Sequence, residues 1–200
     1  MKKIIIASNN KGKIREIRAI IGEQDIELLD LKDIGFTDEI TEDGYSIKEN
    51  AVKKGLSVMK AVGELTIADD SGLEVDAIDG QPGVLSARFS GEGATDESNN
   101  RKLLELLSNI PMEKRGAQFR CVMALIYPNG RILTAEGICR GRIAYKPIGD
   151  KGFGYDPIFI PNGYDKTFSQ LGSHVKNQIS HRAIALYKMK GIMIREGLIV

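Results

Sequence analysis

Two hundred residues, 42% apolar and 28% charged, read as one soluble globular domain over 1–200. The 28 basic and 27 acidic side chains sum to +1, which excludes a strongly basic nucleic-acid coat and an acidic disordered tail. No apolar run reaches the ~18 residues of a membrane helix, and Ile4–Ala7 stops short of the ~7–15 residues of a signal core, so the chain reads as cytoplasmic.

Lys2–Ala7 is a short, β-branched run and predicts a buried strand. Asn10 caps a helix with Ile14, Ile17 and Ile21 on one face and Gly22 as its stop. Ile26–Leu31 reads as a strand and Asp33–Tyr45 as a loop. Ser46-x-x-Glu49 is a capping box before a helix whose face carries Val52, Gly55, Leu56, Met59 and Val62, stopped by Gly63. Leu65–Ala68 predicts a strand, with Leu73, Val75 and Ala77 alternating like its second half. Asp79–Glu97 is loop-rich, and a helix over Glu97–Asn109 ends at Pro111. Gln118–Tyr127 is the clearest strand, apolar on both faces, and Pro128-Asn129-Gly130 turns it into Arg131–Arg142. Gly149–Gly163 reads as a Gly/Pro-rich loop, and Ser180 caps a last helix burying Ala183, Leu186 and Met189. Cys121 and Cys139 lie in apolar runs and read as buried free thiols. Interleaved helices and strands around a central hairpin argue an α/β domain: a mixed β-sheet covered by helices.

The near-zero net charge hides an asymmetry. Residues 1–100 carry twelve basic and twenty acidic side chains, a net −8, and residues 101–200 carry sixteen and seven, a net +9. This fits two solvated halves that attract each other. It also fits a carboxylate wall for a divalent cation facing a basic wall for phosphates, although charge alone favours the first reading.

Four stretches carry chemistry. Ser8-Asn9-Asn10-Lys11-Gly12-Lys13 joins a strand to a helix, so backbone N–H groups and two lysines meet the positive end of that helix. It lacks the first glycine of a Walker loop, and Ile14 stands where Ser or Thr would bind magnesium; alone it reads equally as an exposed helix start. Asp69-Asp70-Ser71-Gly72-Leu73 follows an apolar strand. A carboxylate pair at a strand end suits a hard cation and a general base, or a capped turn; both side chains face one site only if the chain turns, which Gly72 allows. Glu42 and Glu49 are further candidate ligands, although the capping box already explains Glu49. Gly152-Phe153-Gly154-Tyr155-Asp156-Pro157 lets backbone approach a ligand and offers rings to stack on a base, or tucks them into the core. Lys176 and the helix start Ser180-His181-Arg182 gather donors, His181 being the one neutral acceptor. With two histidines and no Cys/His cluster, no zinc site is expected.

These stations occur in one order with Glu49-Asn50-Ala51 and Pro82-Gly83-Val84-x-Ser86-Ala87-Arg88, and over Lys3 to about Leu186 the chain resembles the inosine/xanthosine triphosphate pyrophosphatase family. The resemblance implies an elongated, two-lobed single domain with a central cleft, a homodimer, and Mg²⁺-dependent hydrolysis of a nucleoside triphosphate to monophosphate and pyrophosphate. It implies that Ser8, Asn9, Asn10, Lys11, Gly12 and Lys13 hold the triphosphate and that Asp70 accepts the proton. Glu42 and Asp70 would serve the metal, and Ser71 would touch the nucleotide. Phe153, Gly154, Tyr155, Asp156, Lys176, His181 and Arg182 would form the base pocket. Phe168-Ser169-Gln170-Leu171 stands where the family often has Phe-Ala-Glu-Leu, so the acid is replaced by the amide of Gln170. No nucleic-acid or membrane partner is expected. Two alternatives stay open: a pyrophosphatase for other modified or pyrimidine triphosphates, and a non-catalytic nucleotide- or RNA-binding module drawing on the basic second half.

Overall fold

The apolar run at the start of the chain becomes β1 (Lys2–Ile6), which pairs in parallel with β2 (Ile26–Asp30) from Lys2↔Ile26 to Ile6↔Asp30, and with β3 (Thr66–Val75) through Ile5↔Thr66 and Ile6↔Ile67. The computed structural model describes residues 2–22, 26–38, 40 and 43–199. β4 (Gly116–Ile126) and β5 (Ile132–Ile143) are joined by the expected turn, in which Gly130 has φ +84° and donates to the Tyr127 carbonyl at 2.9 Å. β5 pairs antiparallel with β6 (Phe159–Pro161), so the sheet is mixed, in the order β2-β1-β3-β4-β5-β6.

The chain divides into two compact units, with β3, β4 and β5 each contributing residues to both. Unit 1 is Met1–Asp70, Cys121–Gly137 and Arg182–Val200. Within it, strand alternation sends Ile4 and Ile6 to one face, against Ile14, Ile17 and Ile21 of α1 (Lys11–Ile21) and Ala183, Leu186 and Met189 of α5 (His181–Arg195). Ile5 and Ala7 go to the other, against Val58 of α2 (Ile47–Val62) and Ala68. Helices on both faces are why these strands read as continuous apolar runs. The predicted caps are present at Asn10, Ser46 and Gly63, the last left-handed at φ +72°. The box at Ser46 is only half formed: its hydroxyl accepts from the Glu49 N–H, but the Glu49 carboxylate reaches past Ser46 to the Tyr45 N–H at 3.0 Å.

Unit 2 is Ser71–Arg120 and Ile138–His181. Its core gathers Leu73, Val75, Phe119, Ile143, Phe159 and Phe168 with Leu103 and Leu107 from α3 (Asp96–Leu106) and its end. Phe119 and Phe159 meet at 4.6 Å, tilted by 59°. Arg115, 2% exposed, donates to the carbonyls of Leu107, Ile110 and Ala144 and so closes the end of α3.

Several expectations need correction. On α2, Ala51, Lys54 and Val58 are buried while Val52, Leu56 and Val62 are only half-buried, and Ala77 lies past the end of β3 in an exposed 3₁₀ turn. β3 does not turn at Gly72: it is one ten-residue strand, so Asp69 and Asp70 keep strand alternation and point to opposite faces. The loop over 149–163 contains β6, too short to stand out among its glycines and prolines. A helix before Ser180 was not expected, yet α4 (Phe168–Ile179) is there, broken at Gly172 (φ +76°, ψ 179°), which disrupts the periodicity a reader would seek.

Candidate active site

In unit 1, the strand β1 delivers the chain to the Ser8–Lys13 loop, where capping is local. The Asn10 side chain accepts from the N–H groups of Gly12 (2.9 Å) and Lys13 (3.1 Å), and the Ser8 hydroxyl accepts from the Asn10 N–H at 3.2 Å. Two first-turn amides are thus already bonded, while Asn9, Asn10 and Lys11 are exposed at the positive end of α1. The Lys13 ammonium lies 3.3 Å from Asp69 Oδ2.

Asp69 is fully buried, and the same oxygen accepts from Arg182 Nε at 3.0 Å. Arg182, 1% exposed, also bonds Glu16 at 2.5 Å. Burial by itself would raise the Asp69 carboxyl, but the charges of Lys13, Arg182 and Lys54 outweigh it and hold the group well below the usual carboxylate range. Burial would lower Arg182, and Asp69 and Glu16 override it, so the guanidinium stays charged. Behind this cluster Cys121 is buried; burial first and the Asp69 charge second push its thiol up to about 12. Asp69 Oδ1 has no hydrogen-bond partner among the described residues. Asp70, 7% exposed, shares its face with Ala68 and hence with α2.

Lys54 was missed by the sequence reading. It is 5% exposed, on the α2 face that also buries Ile47, Ala51 and Val58. The signal was available, because a lysine on an apolar stripe is rarely buried unless an anion meets it. Glu49, by contrast, is held by Tyr45 and by Lys53 at 3.1 Å, which together lower its carboxyl. Glu42 lies outside the described residues.

In unit 2, Asp156 organises the Gly-Phe-Gly-Tyr-Asp loop. Its Oδ2 accepts from the Phe153 N–H at 2.9 Å and from the Lys176 ammonium at 2.6 Å, both members of that ion pair being buried. Gly152 sits at φ +86°, where a Cβ would fall 2.2 Å from that carboxylate oxygen. The Lys176 nitrogen is 4.2 Å from the centre of the Phe153 ring, a cation–π contact. His181 stacks on Phe119 at 4.5 Å and 11°. Tyr155, expected beside Phe153 in a base pocket, is a core residue: it is 4% exposed, and its hydroxyl donates to the Ser86 carbonyl at 2.8 Å. His181 and Arg182 are adjacent in sequence, yet the first stacks in unit 2 and the second joins the carboxylates of unit 1. Ser71 begins unit 2, half-buried on β3.

Among the described residues no three His, Cys, Asp or Glu side chains gather as a metal cage. Magnesium does not require one: it is held in phosphate-processing sites by one or two carboxylates plus phosphate oxygens and water. The hard oxygen donors of Asp70 fit that use.

A capped helix-start loop tied to a buried carboxylate, with a second carboxylate on the other face of the same strand, is an arrangement able to receive a phosphorylated ligand. The chain belongs to the Ham1 family, whose model matches residues 4–192. It is 48% identical over 194 residues to a dITP/XTP pyrophosphatase of Desulforamulus reducens, covering 96% of each chain. A dITP/XTP pyrophosphatase of Bacillus subtilis is 47% identical over 193 residues, 96% of this chain and 98% of that one. Among solved structures, the Ham1 protein of Staphylococcus aureus superposes with a TM-score of 0.87 at 40% identity, over 98% of this chain and all of that one.

Proposed function

We propose that this protein hydrolyses the non-canonical purine triphosphates ITP, dITP and XTP to the monophosphate and pyrophosphate. The observation that carries the mechanism is the unequal state of the two aspartates. Asp69 is sealed from solvent and held ionised by cations, so its basicity is low and its work is to fix Lys13 and Arg182. Asp70, on the other face and 7% exposed where Asp69 is fully buried, is the proton acceptor. Water attacks the α-phosphorus, Asp70 takes its proton, and the bond to the bridging oxygen breaks as pyrophosphate leaves. Ser8 to Lys13 receive the phosphates, and Lys13 answers their charge. Mg²⁺, held by Asp70 and Glu42, would neutralise phosphate charge as a Lewis acid.

Unit 2 supplies base recognition. Phe153 offers a face to stack on, and Lys176 and His181 offer donors to the C6 oxygen of hypoxanthine or xanthine, where adenine presents an amino group and leaves donor against donor. We assign Arg182 to the acid cluster of unit 1, since its guanidinium already bonds Asp69 and Glu16. The relatives named above support the substrate class. The family resemblance further supports a homodimer, and a nucleotide-pool enzyme with two buried free thiols suits the cytoplasm.

The test is pyrophosphate release from ITP, XTP, dITP, ATP and GTP with and without Mg²⁺. We expect kcat/KM for ITP or XTP at least ~10²-fold above ATP, because a site with buried polar groups discriminates that strongly. Equal rates on ATP and ITP would remove the base assignment, and Mg²⁺-independent turnover would remove the metal.

A further inference from the structure

The loop that carries Phe153 is held from α3 by two side chains one turn apart. Asp96 Oδ2 accepts from the Gly154 N–H at 2.7 Å, and Asn100 Nδ2 donates to the Gly154 carbonyl at 3.0 Å. At i and i+4 these residues share one helix face. They take hold of successive peptide planes, because the Gly154 N–H belongs to the peptide that begins at Phe153 and the Gly154 carbonyl to the one that leads into Tyr155. Gly154 has φ +61°, a conformation that orients both groups and that a side chain would resist. A neighbouring tie works alongside: Asn99 Nδ2 donates to the Ser86 carbonyl at 3.3 Å, the same oxygen that accepts the Tyr155 hydroxyl.

A cavity of about 710 Å³ lies along this side of the loop, lined by Leu104 and Ser108 of the α3 side and by Pro147, Lys151, Phe153 and Pro157. The bonds to Gly154 tie α3 to the loop directly. Asn100 is also an unusual choice for the fold alone. It is 5% exposed, and its Oδ1 has no hydrogen-bond partner among the described residues, a state that costs stability. An apolar residue would avoid that cost and lose the donor to Gly154.

We propose that Asp96 and Asn100 are positioning residues for purine binding: through Gly154 they set where the Phe153 ring lies beside the Lys176 ammonium. The proposal rests on reading Phe153 and Lys176 as the base site. A ring held on one side by Asp156 and Lys176 and on the other by α3 is fixed before the base arrives. Preorganisation of that kind lowers KM and leaves the chemical step, which belongs to unit 1, untouched.

The test is steady-state kinetics on ITP. Asp96 is exposed, so Asp96→Ala should fold normally, raise KM about 10-fold and leave kcat within about 2-fold. Asp96→Asn, whose amide oxygen can accept the same N–H, should return KM to within about 2-fold of the wild type. In a Phe153→Ala background, Asp96→Ala should change KM less than about 2-fold, since the ring through which it acts is gone. An unchanged KM in Asp96→Ala, or a full effect persisting without Phe153, overturns the proposal. Wild-type protein that releases no pyrophosphate from ITP would instead overturn the reading of the site beneath it.

Discussion

Removing the charge of Asp69 would strand two cations. Lys13 and Arg182 both lean on its Oδ2, and Arg182 is buried. Breaking a buried ion pair from one side costs about 3–5 kcal/mol, so Asp69→Asn should lower the urea midpoint strongly. The native carboxyl titrates below its unfolded value, near 3.9. Its stabilisation is therefore present above that pH and is lost as pH falls toward the native value. Asp70→Asn keeps the shape and removes the proposed proton acceptor, so kcat on ITP should fall at least ~10²-fold at saturating Mg²⁺. Turnover near the wild-type rate would return the role of base to another group. The sequence picked out both aspartates but put them at a strand end, whereas they lie within β3, and it did not show how their surroundings differ. That depends on Arg182, 113 positions beyond Asp69, and periodicity speaks only of near neighbours.

Helix α2 shows what a helix–sheet contact asks of one position. A Cβ on Gly55 would fall 2.6 Å from Ile126 Cγ1 and 3.2 Å from Ala68 Cβ, both in buried strand residues. Alanine gains up to about 1 kcal/mol of helix propensity over glycine, and overpacking a close contact costs about 1–3 kcal/mol. Gly55→Ala should therefore destabilise, read as a lower denaturation midpoint; a rise would mean that the helix can lift off at no cost. The caps of α1 and α2 and the apolar face of α1 were legible because they follow from residues within one or two turns, whereas the buried face of α2 is rotated by about one position from the expected one, onto Ala51, Lys54, Gly55, Val58 and Met59. Helix α4 was not legible, since Gly172 interrupts it. Its start, however, answers the question raised by Gln170. The Gln170 side chain accepts from the Thr167 N–H at 3.0 Å, completing a capping box. That bond needs an acceptor oxygen, which an amide supplies as well as a carboxylate does.

Over the molecule as a whole, the two thiols give alkaline pH a defined effect. Burial pushes Cys139 up to about 11, and burial with the nearby Asp69 charge pushes Cys121 up to about 12. Unfolded thiols release their protons near 8.5. Between that value and the native ones the unfolded chain binds fewer protons, so stability is intact below about 8.5 and declines as pH rises toward 11–12. A Cys121→Ala, Cys139→Ala double variant should lose less stability than the wild type between pH 7.5 and about 10, measured by urea unfolding. Iodoacetamide should leave both thiols unmodified in the native protein and label them once it is unfolded. Rapid labelling of the native chain would contradict their burial.

The cap at Asn10 has a genetic consequence. Aspartate caps a helix as well as asparagine and suits its positive end, so Asn10→Asp leaves folding and abundance intact. It nevertheless sets a permanent negative charge in the loop proposed to receive phosphates. The codon change is one adenine-to-guanine transition, the change written when hypoxanthine stands in for adenine and is copied as guanine. A cell relying on this enzyme thus carries, at Asn10, a position where the kind of error the enzyme suppresses would disable it without lowering its amount.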